Sequence, residues 1–128
     1  MDFTNYLADR LVQATVRNVA WTSSPKVYLA LYTEDPTKAG FSSNEVSGVS
    51  YNRQEITFTT PVDGVSTNAS QIDFSVATSN WGNVGWVSIM DSETGGFMLY
   101  FTALDDARNI LTGDQFKVDA DKLQLKLT

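Results

Sequence analysis

The chain has 128 residues and carries nine Lys and Arg against fifteen Asp and Glu, which gives a net charge of −6 at pH 7. This length suits one hydrophobic core, so we expect residues 1–128 to form a single domain. A hydrophobic content of 42% with 19% charged residues is typical of a globular chain. The acidic balance argues against nucleic acid as a partner, because phosphate binding needs concentrated positive charge.

Cysteine and histidine are both missing from the sequence. Disulfides are therefore excluded, and zinc, copper and haem sites lose their usual ligands. Cys–His and Ser–His–Asp catalysis are excluded as well. We expect no cofactor, no metal, no catalytic residues and no enzymatic activity. Neither a signal-peptide core nor an apolar run of roughly 20 residues is visible, so we also expect no membrane association.

The segment 3–17 predicts an amphipathic helix. Asp2 or Thr4 suits its N-cap, and Asn18 suits its end. A helix of this length is marginal in isolation, so its apolar stripe must dock on something. Apolar residues recur there at three- and four-residue spacing: Phe3, Leu7, Leu11 and Ala14.

From residue 26 the hydrophobic period becomes two, which predicts a mainly β fold. We expect an antiparallel β-sandwich or flattened barrel over residues 26–128, with the helix packed against it. Lys26–Thr33 is apolar on both faces, which favours a central strand. A loop ending in Gly95-Gly96 predicts a hairpin. The other predicted strands are Arg53–Thr60, Gln71–Val76, Val84–Asp91, Phe97–Leu104, Gln115–Val118 and Lys122–Thr128.

A long connection, Glu34–Asn52, separates the first two predicted strands. Connections this long are often functional or ordered by a partner. We expect Arg53 to pair with Glu45 or Glu34 and so to fix the loop. The loop also carries apolar side chains that are costly to leave in water: Phe41, Val46, Val49 and Tyr51.

Three acidic pairs are candidates for Ca²⁺ binding or for glycoside hydrolysis by two carboxylates: Asp105–Asp106, Asp119 with Asp121, and Asp91 with Glu93. None has the ligand spacing of an EF-hand loop, and carboxylates that stabilise turns are the favoured interpretation.

Asn68-Ala69-Ser70 matches a glycosylation motif by chance. Gly82 and Gly85 favour a turn or a β-bulge.

The three tryptophans allow a second class of function, the binding of host surface sugars. For Trp86 the strand pattern favours a core or rim position. For Trp21 and Trp81 both interpretations stay open.

An ordered series of motifs resembles small bacteriophage virion proteins of the tail-fibre type. The resemblance spans nearly the whole chain. The residues that carry it are Asn5–Asp9, Leu31–Thr37 followed by Gly40, Glu45–Gly48, Ser50–Arg53, Trp81-Gly82, Asp91–Gly96 and Gly113-Asp114.

The resemblance implies a non-enzymatic structural protein on the outside of the particle, either a capsid decoration protein or a tail appendage. It also implies synthesis in the bacterial cytoplasm, self-association with a trimer favoured, and contact with capsid or tail proteins. Glycan binding is the alternative. The residues that we expect at interfaces are Phe3, Leu7, Leu11, Phe41, Val46, Val49, Tyr51, Trp21 and Trp81.

Overall fold

The computed structural model describes residues 1–127 and contains nine strands and one helix within them. In chain order these are β1 (Asp2–Phe3), α1 (Asn5–Val16), β2 (Val27–Tyr32), β3 (Gln54–Ile56), β4 (Val65–Thr67), β5 (Ile72–Asp73), β6 (Gly82–Met90), β7 (Met98–Ile110), β8 (Lys117–Val118) and β9 (Gln124–Lys126).

The strands form a five-stranded antiparallel sheet in the order β1-β7-β6-β2-β3 and two small sheets, β4-β9 and β5-β8. The predicted fold class is therefore confirmed: the chain is mainly β, its sheets are antiparallel, and one helix lies near the N-terminus. The prediction that Lys26–Thr33 contains a central strand is confirmed as well. β2 pairs with β3 on one side and with β6 on the other, and Leu29–Tyr32 is fully buried.

The main core lies between the five-stranded sheet and the two small sheets. Side chains alternate along β2, so Leu29 and Leu31 enter this core while Ala30 and Tyr32 join a smaller cluster on the opposite face. Each large apolar side chain buried in this way stabilises the fold by roughly 2 kcal/mol. The main core also takes Val46, Ile56, Ile72, Phe74, Ala77, Trp81, Val84, Val87, Ile89, Ile110, Phe116, Val118 and Leu123.

β6 and β7 form the predicted hairpin, and β7 continues to Ile110, beyond the predicted end at Leu104. The register shifts between Val84 and Trp86, so Gly85 faces a bulged stretch of β7. The bulge interpretation of Gly85 is thus confirmed. The exposed Asp105 and Asp106 lie in this bulged stretch, on the part of β7 that extends beyond its pairing with β1, and bulges and charges there hinder pairing with other chains.

The helix is shorter than predicted at its N-terminal end. Phe3 belongs to β1 and pairs with Tyr100, so the prediction of a helix from residue 3 was wrong. Thr4 is the N-cap: its hydroxyl accepts from Leu7 N, and it donates to Met98 O at 2.7 Å. Asn18 ends the helix as predicted, with φ +56°.

Only the first turns of α1 are anchored to the sheet. Leu7 is buried, whereas Leu11 is half-buried and Ala14 is exposed. The expected docking of a full apolar stripe was therefore wrong, because α1 packs mainly against one strand, β7.

Asn68 has a structural role in place of the glycosylation role that its motif suggests. Its side chain is fully buried, donates to Ser70 O and Asp119 O, and accepts from Leu123 N. These bonds link β4 to the last segment of the chain. Thr128, the last residue of the final predicted strand, lies outside the described residues.

Candidate interaction surface

Three segments meet at one end of the five-stranded sheet: the start of α1, the long connection between β2 and β3, and the β6–β7 turn. Thr4 N donates to Leu99 O at 3.0 Å, and Asn5 N donates to Lys38 O at 2.8 Å. A Cβ on Gly40 would lie 3.4 Å from Met98 Cβ and 3.8 Å from a Thr4 methyl carbon. The N-terminal arm (residues 2–5), the loop and the hairpin therefore form one packed unit.

Arg53 joins the loop to the hairpin. Its guanidinium binds Glu45 through two bonds of 2.8 Å, from Nε to Oε2 and from Nη2 to Oε1. Nη1 donates to Ser92 O at 2.9 Å and to Gly95 O at 2.7 Å. The side chains of Arg53 and Glu45 are only 6% and 16% exposed, so water screens this pair weakly. The sequence predicted that Arg53 pairs with Glu45 or Glu34, and the structure shows that its partner is Glu45.

Tyr51 connects the same cluster to the core. Its hydroxyl donates to Glu45 Oε2 at 2.7 Å and accepts from Leu31 N at 3.1 Å. Its ring stacks on Phe74 at 6.1 Å between centroids and meets the edge of Trp81 at 5.6 Å. Tyr51 thus fixes the loop in two ways. Its hydroxyl forms hydrogen bonds with Glu45 and Leu31, and its ring contacts the aromatic rings of the core.

Burial changes the acid–base behaviour of this region. It raises the pKa of Tyr51 above its usual range, and the negative charge of Glu45 adds to the increase. Burial also raises the pKa of Tyr32 to about 12, although a hydrogen bond from Ser88 partly offsets this increase. The hydrogen bonds to Glu45 raise the pKa of Arg53. Every one of these shifts favours the uncharged tyrosines and the charged arginine.

Several aromatic side chains are exposed on the surface of the unit that Arg53 and Tyr51 hold together. Phe41 is 61% exposed, Phe97 is 56% exposed and Phe3 is 37% exposed. Phe97 stacks on Tyr6 with 4.2 Å between ring centroids and 3° between planes. We call the surface formed by Phe3, Tyr6, Lys38, Phe41 and Phe97 the hairpin-end surface.

Two cations cover parts of the hairpin-end surface. Arg10 lies 4.8 Å from the centroid of the Tyr6 ring, and the Lys38 ammonium lies 5.1 Å from that of Phe3. Such contacts are worth about 0.5–1 kcal/mol where exposed. They orient the rings and place positive charge on an acidic protein.

The residues that the sequence predicted for interfaces fall into three groups. Leu7, Val46 and Trp81 are buried, so a partner cannot reach them. Leu11, Trp21 and Tyr51 are half-buried. The exposed ones are Phe3, Phe41 and Val49.

Tyr6, Lys38 and Phe97 are the residues of this surface that sequence reasoning missed. An aromatic residue directly after Gly95-Gly96 was a usable signal for Phe97, because a residue at the tip of a hairpin has little to pack against. Nothing in the sequence distinguishes Tyr6 from an ordinary half-buried helix residue.

Two of the acidic candidates serve as turn residues. Asp91 Oδ1 accepts from Phe97 N at 2.7 Å, and Asp121 Oδ1 accepts from the Thr67 hydroxyl at 2.7 Å. Within residues 1–127, no three acidic side chains come together in a way that would hold a metal ion.

The helix in that part of the chain is too short and too polar to cross a membrane.

The buried ion pair gives the first prediction. We expect Arg53→Met to lower the free energy of unfolding by about 3 kcal/mol, because it leaves the carboxylate of Glu45 shielded and without its cation. Urea unfolding followed by tryptophan fluorescence measures this. The matched control is Lys26→Met, which removes the exposed Lys26–Glu55 pair, with side chains 64% and 48% exposed. The control should change stability by less than about 1 kcal/mol, and an equal loss in both variants would contradict the role given to Arg53.

The tyrosines give the second prediction. An unfolded tyrosine ionises near pH 10, and the folded pKa of Tyr32 is about 12, with that of Tyr51 also raised. The stability from these groups is therefore complete below about pH 10 and is lost as the pH rises toward 12. Absorbance at 295 nm against pH should show a delayed ionisation that diminishes in Tyr32→Phe and in Tyr51→Phe. Ionisation of every tyrosine near pH 10 in the folded protein would be the contrary result.

Comparison with known proteins assigns the family. No curated protein matches the chain significantly. The family model described as podophage GP4 fiber I protein gp80 matches residues 2–126, which includes the N-terminal arm, the long loop, the hairpin and the last strands. The sequence-based resemblance to phage tail-fibre proteins is thereby confirmed, and the chain belongs to the podophage GP4 fiber I protein gp80 family.

Proposed function

We propose that the chain is a non-enzymatic structural component of a tail appendage on the outside of a phage particle. It is made in the bacterial cytoplasm and acts by binding copies of itself and neighbouring virion proteins. The fibre family supports an appendage role over capsid decoration. The hairpin-end surface is the face that we assign to the neighbouring virion proteins.

The observation that carries this proposal is that exposed aromatic rings lie on loop and hairpin segments that Arg53 holds in fixed positions. Protein interfaces are enriched in aromatic residues and arginine, and a few such side chains carry most of the binding energy. Phe41 and Phe97 expose more than half of their surface, although Arg53 holds the loop and hairpin beneath them in fixed positions. A preorganised surface loses little conformational entropy on binding.

The chemistry of the chain supports a binding role over catalysis. The sequence offers no histidine or cysteine as a nucleophile or general base. Asp91 and Asp121 are occupied by turn hydrogen bonds. The sugar-binding alternative depended on Trp21 and Trp81, and the burial of Trp81 removes one of its two stacking platforms.

The test uses phage that carry altered versions of this gene. Quantitative mass spectrometry of purified particles should detect the wild-type chain and find the Phe41→Ser, Phe97→Ser double variant at least about tenfold depleted, because each such side chain is worth about 1 kcal/mol or more at an interface. The matched control is Val62→Ser, since Val62 is 69% exposed on the turn before β4.

Circular dichroism of the purified variants checks that each one folds. Absence of the wild-type chain from particles would contradict the structural role itself. Full incorporation of the double variant would contradict the assignment of the hairpin-end surface while leaving the structural role in place.

A further inference from the structure

The indole N–H of Trp81 has no hydrogen-bond partner in the core. Within residues 1–127, its Nε1 is the one buried side-chain nitrogen or oxygen of which this is true, and Trp81 as a whole is only 5% exposed. Such a group costs free energy, because it gives up its hydrogen bond to water on folding and gains no other. Buried polar groups are almost always paired, so this one calls for an explanation.

The N–H edge of the indole is covered by residues 47–50 of the long loop. Gly48 lies directly against it, since a Cβ on Gly48 would be 2.6 Å from both Cδ1 and Nε1 of Trp81, too close for any side chain. The φ of Gly48 is outside the left-handed region, so glycine is needed here for space and not for conformation. The loop therefore covers this edge with backbone alone.

Trp81 cannot reach a partner by moving, because it is held on several sides. Its backbone N donates to Ile110 O at 2.8 Å, which fixes it at the entry to β6. Its ring forms edge contacts with the rings of Tyr51 and Phe74, with 5.6 Å and 6.5 Å between centroids. The covering segment is thus the part that can move.

Both ends of the covering segment are firmly held. Val46, just before it, is 6% exposed, and its N–H donates to Leu31 O at 3.0 Å. Tyr51, just after it, is fixed by the hydrogen bonds of its hydroxyl with Glu45 and with the backbone of Leu31. Motion of residues 47–50 therefore need not disturb the rest of the long loop.

The covering segment itself is held weakly. Ser47 is exposed and Val49 is 93% exposed, so neither side chain packs on the core. In the described chain, one hydrogen bond ties the segment to a part of the molecule outside the long loop, from Thr78 N to Ser50 Oγ at 3.0 Å, and this bond is exposed. A segment with few packed side chains and exposed hydrogen bonds opens at low cost in free energy.

We propose that residues 47–50 are a lid that opens while both of its ends stay in place, and that opening uncovers the indole N–H of Trp81. The closed lid buries an unpaired donor, whereas the open lid lets that donor bind an acceptor, so the unpaired group itself favours opening. The open form presents a free N–H, the group that binds a carbonyl or hydroxyl oxygen of a neighbouring molecule. The inference does not rest on the proposed function, because it concerns the isolated chain.

Hydrogen exchange of the three indole N–H groups, followed by NMR on the isotope-labelled wild-type chain, tests the lid directly. Trp→Phe substitutions made one at a time assign the signals. We expect the protection factor of the Trp81 N–H to be at least about tenfold smaller than that of the Val46 amide, because the lid opens without its ends. Protection equal to that of the Val46 amide would overturn the proposal, since the segment would then open only together with the loop.

Removal of the hydrogen bond at Ser50 tests whether the lid controls this exchange. We expect Ser50→Ala to lower the protection of the Trp81 N–H by about threefold or more, because the lid loses its bond to Thr78 N. The matched control is Ser47→Ala, since Ser47 is exposed and forms no hydrogen bond in the described chain. Equal protection in the two variants would contradict the lid.

A substitution at Gly48 holds the lid open. The Cβ of Gly48→Ala cannot fit against the closed position, so the Trp81 N–H should lose most of its protection while the Val46 amide keeps its own. The control is Gly85→Ala, where a Cβ meets only Ala107 Cβ at an ordinary 3.6 Å. A folded Gly48→Ala variant with wild-type protection of the Trp81 N–H would contradict the proposal. If this variant does not fold, the wild-type and Ser50→Ala measurements decide.

Discussion

The ion pair between Arg53 and Glu45 is the interaction on which the exposed end of the molecule depends. The connection from β2 to β3 forms no helix and takes part in the sheets only through an isolated bridge at Glu45. It therefore depends on a few backbone hydrogen bonds, such as that from Val46 N to Leu31 O, and on a side chain that links it to the hairpin turn. A single guanidinium does this by binding the loop carboxylate and two carbonyls of the β6–β7 turn. An exposed pair of the same geometry would contribute little, and the shielding of both partners is what makes this pair important.

The buried polar groups and the exposed apolar side chains of this protein have different roles. Buried groups such as Thr4, Arg53 and Asn68 have their hydrogen bonds satisfied within the chain, and they fix backbone segments that are distant in sequence. The exposed aromatic side chains of the hairpin-end surface, Phe3, Phe41 and Phe97, lie on segments fixed in this way. This arrangement suits the proposed role, because a surface that is formed in advance loses little conformational entropy on binding.

Much of the fold follows from local sequence patterns. Apolar residues on both faces of Lys26–Thr33 indicated a central strand, and the Gly-Gly turn indicated the hairpin. The position of Arg53, at the end of a long loop, indicated an ion pair with Glu45 or Glu34, and the fold selects Glu45. In each case the prediction depends on a few neighbouring residues or on one chemically distinctive residue. It can therefore be made without knowing which strands pair.

The features that were missed depend on contacts between distant parts of the chain. Phe3 is a strand residue because it pairs with Tyr100, and nothing near Phe3 reveals this. The short strand β4 exists through its pairing with β9. The spacing of apolar residues in α1 suggested full docking, yet β7 covers only its first turns. For the hairpin-end surface, Phe3 and Phe41 were anticipated, whereas Tyr6 and Phe97 come together only through the packing of the helix on the hairpin.

Hydrogen exchange of three backbone amides tests the central claim most directly, that the N-terminal arm, the long loop and the hairpin turn form one rigid unit. These are Val46 N, which donates to Leu31 O, Asn5 N, which donates to Lys38 O, and Phe97 N, which donates to Asp91 Oδ1. The account predicts that all three exchange slowly and with a common opening free energy. Fast exchange of these amides beside a protected β2, like that of an unrestrained surface loop, would contradict it.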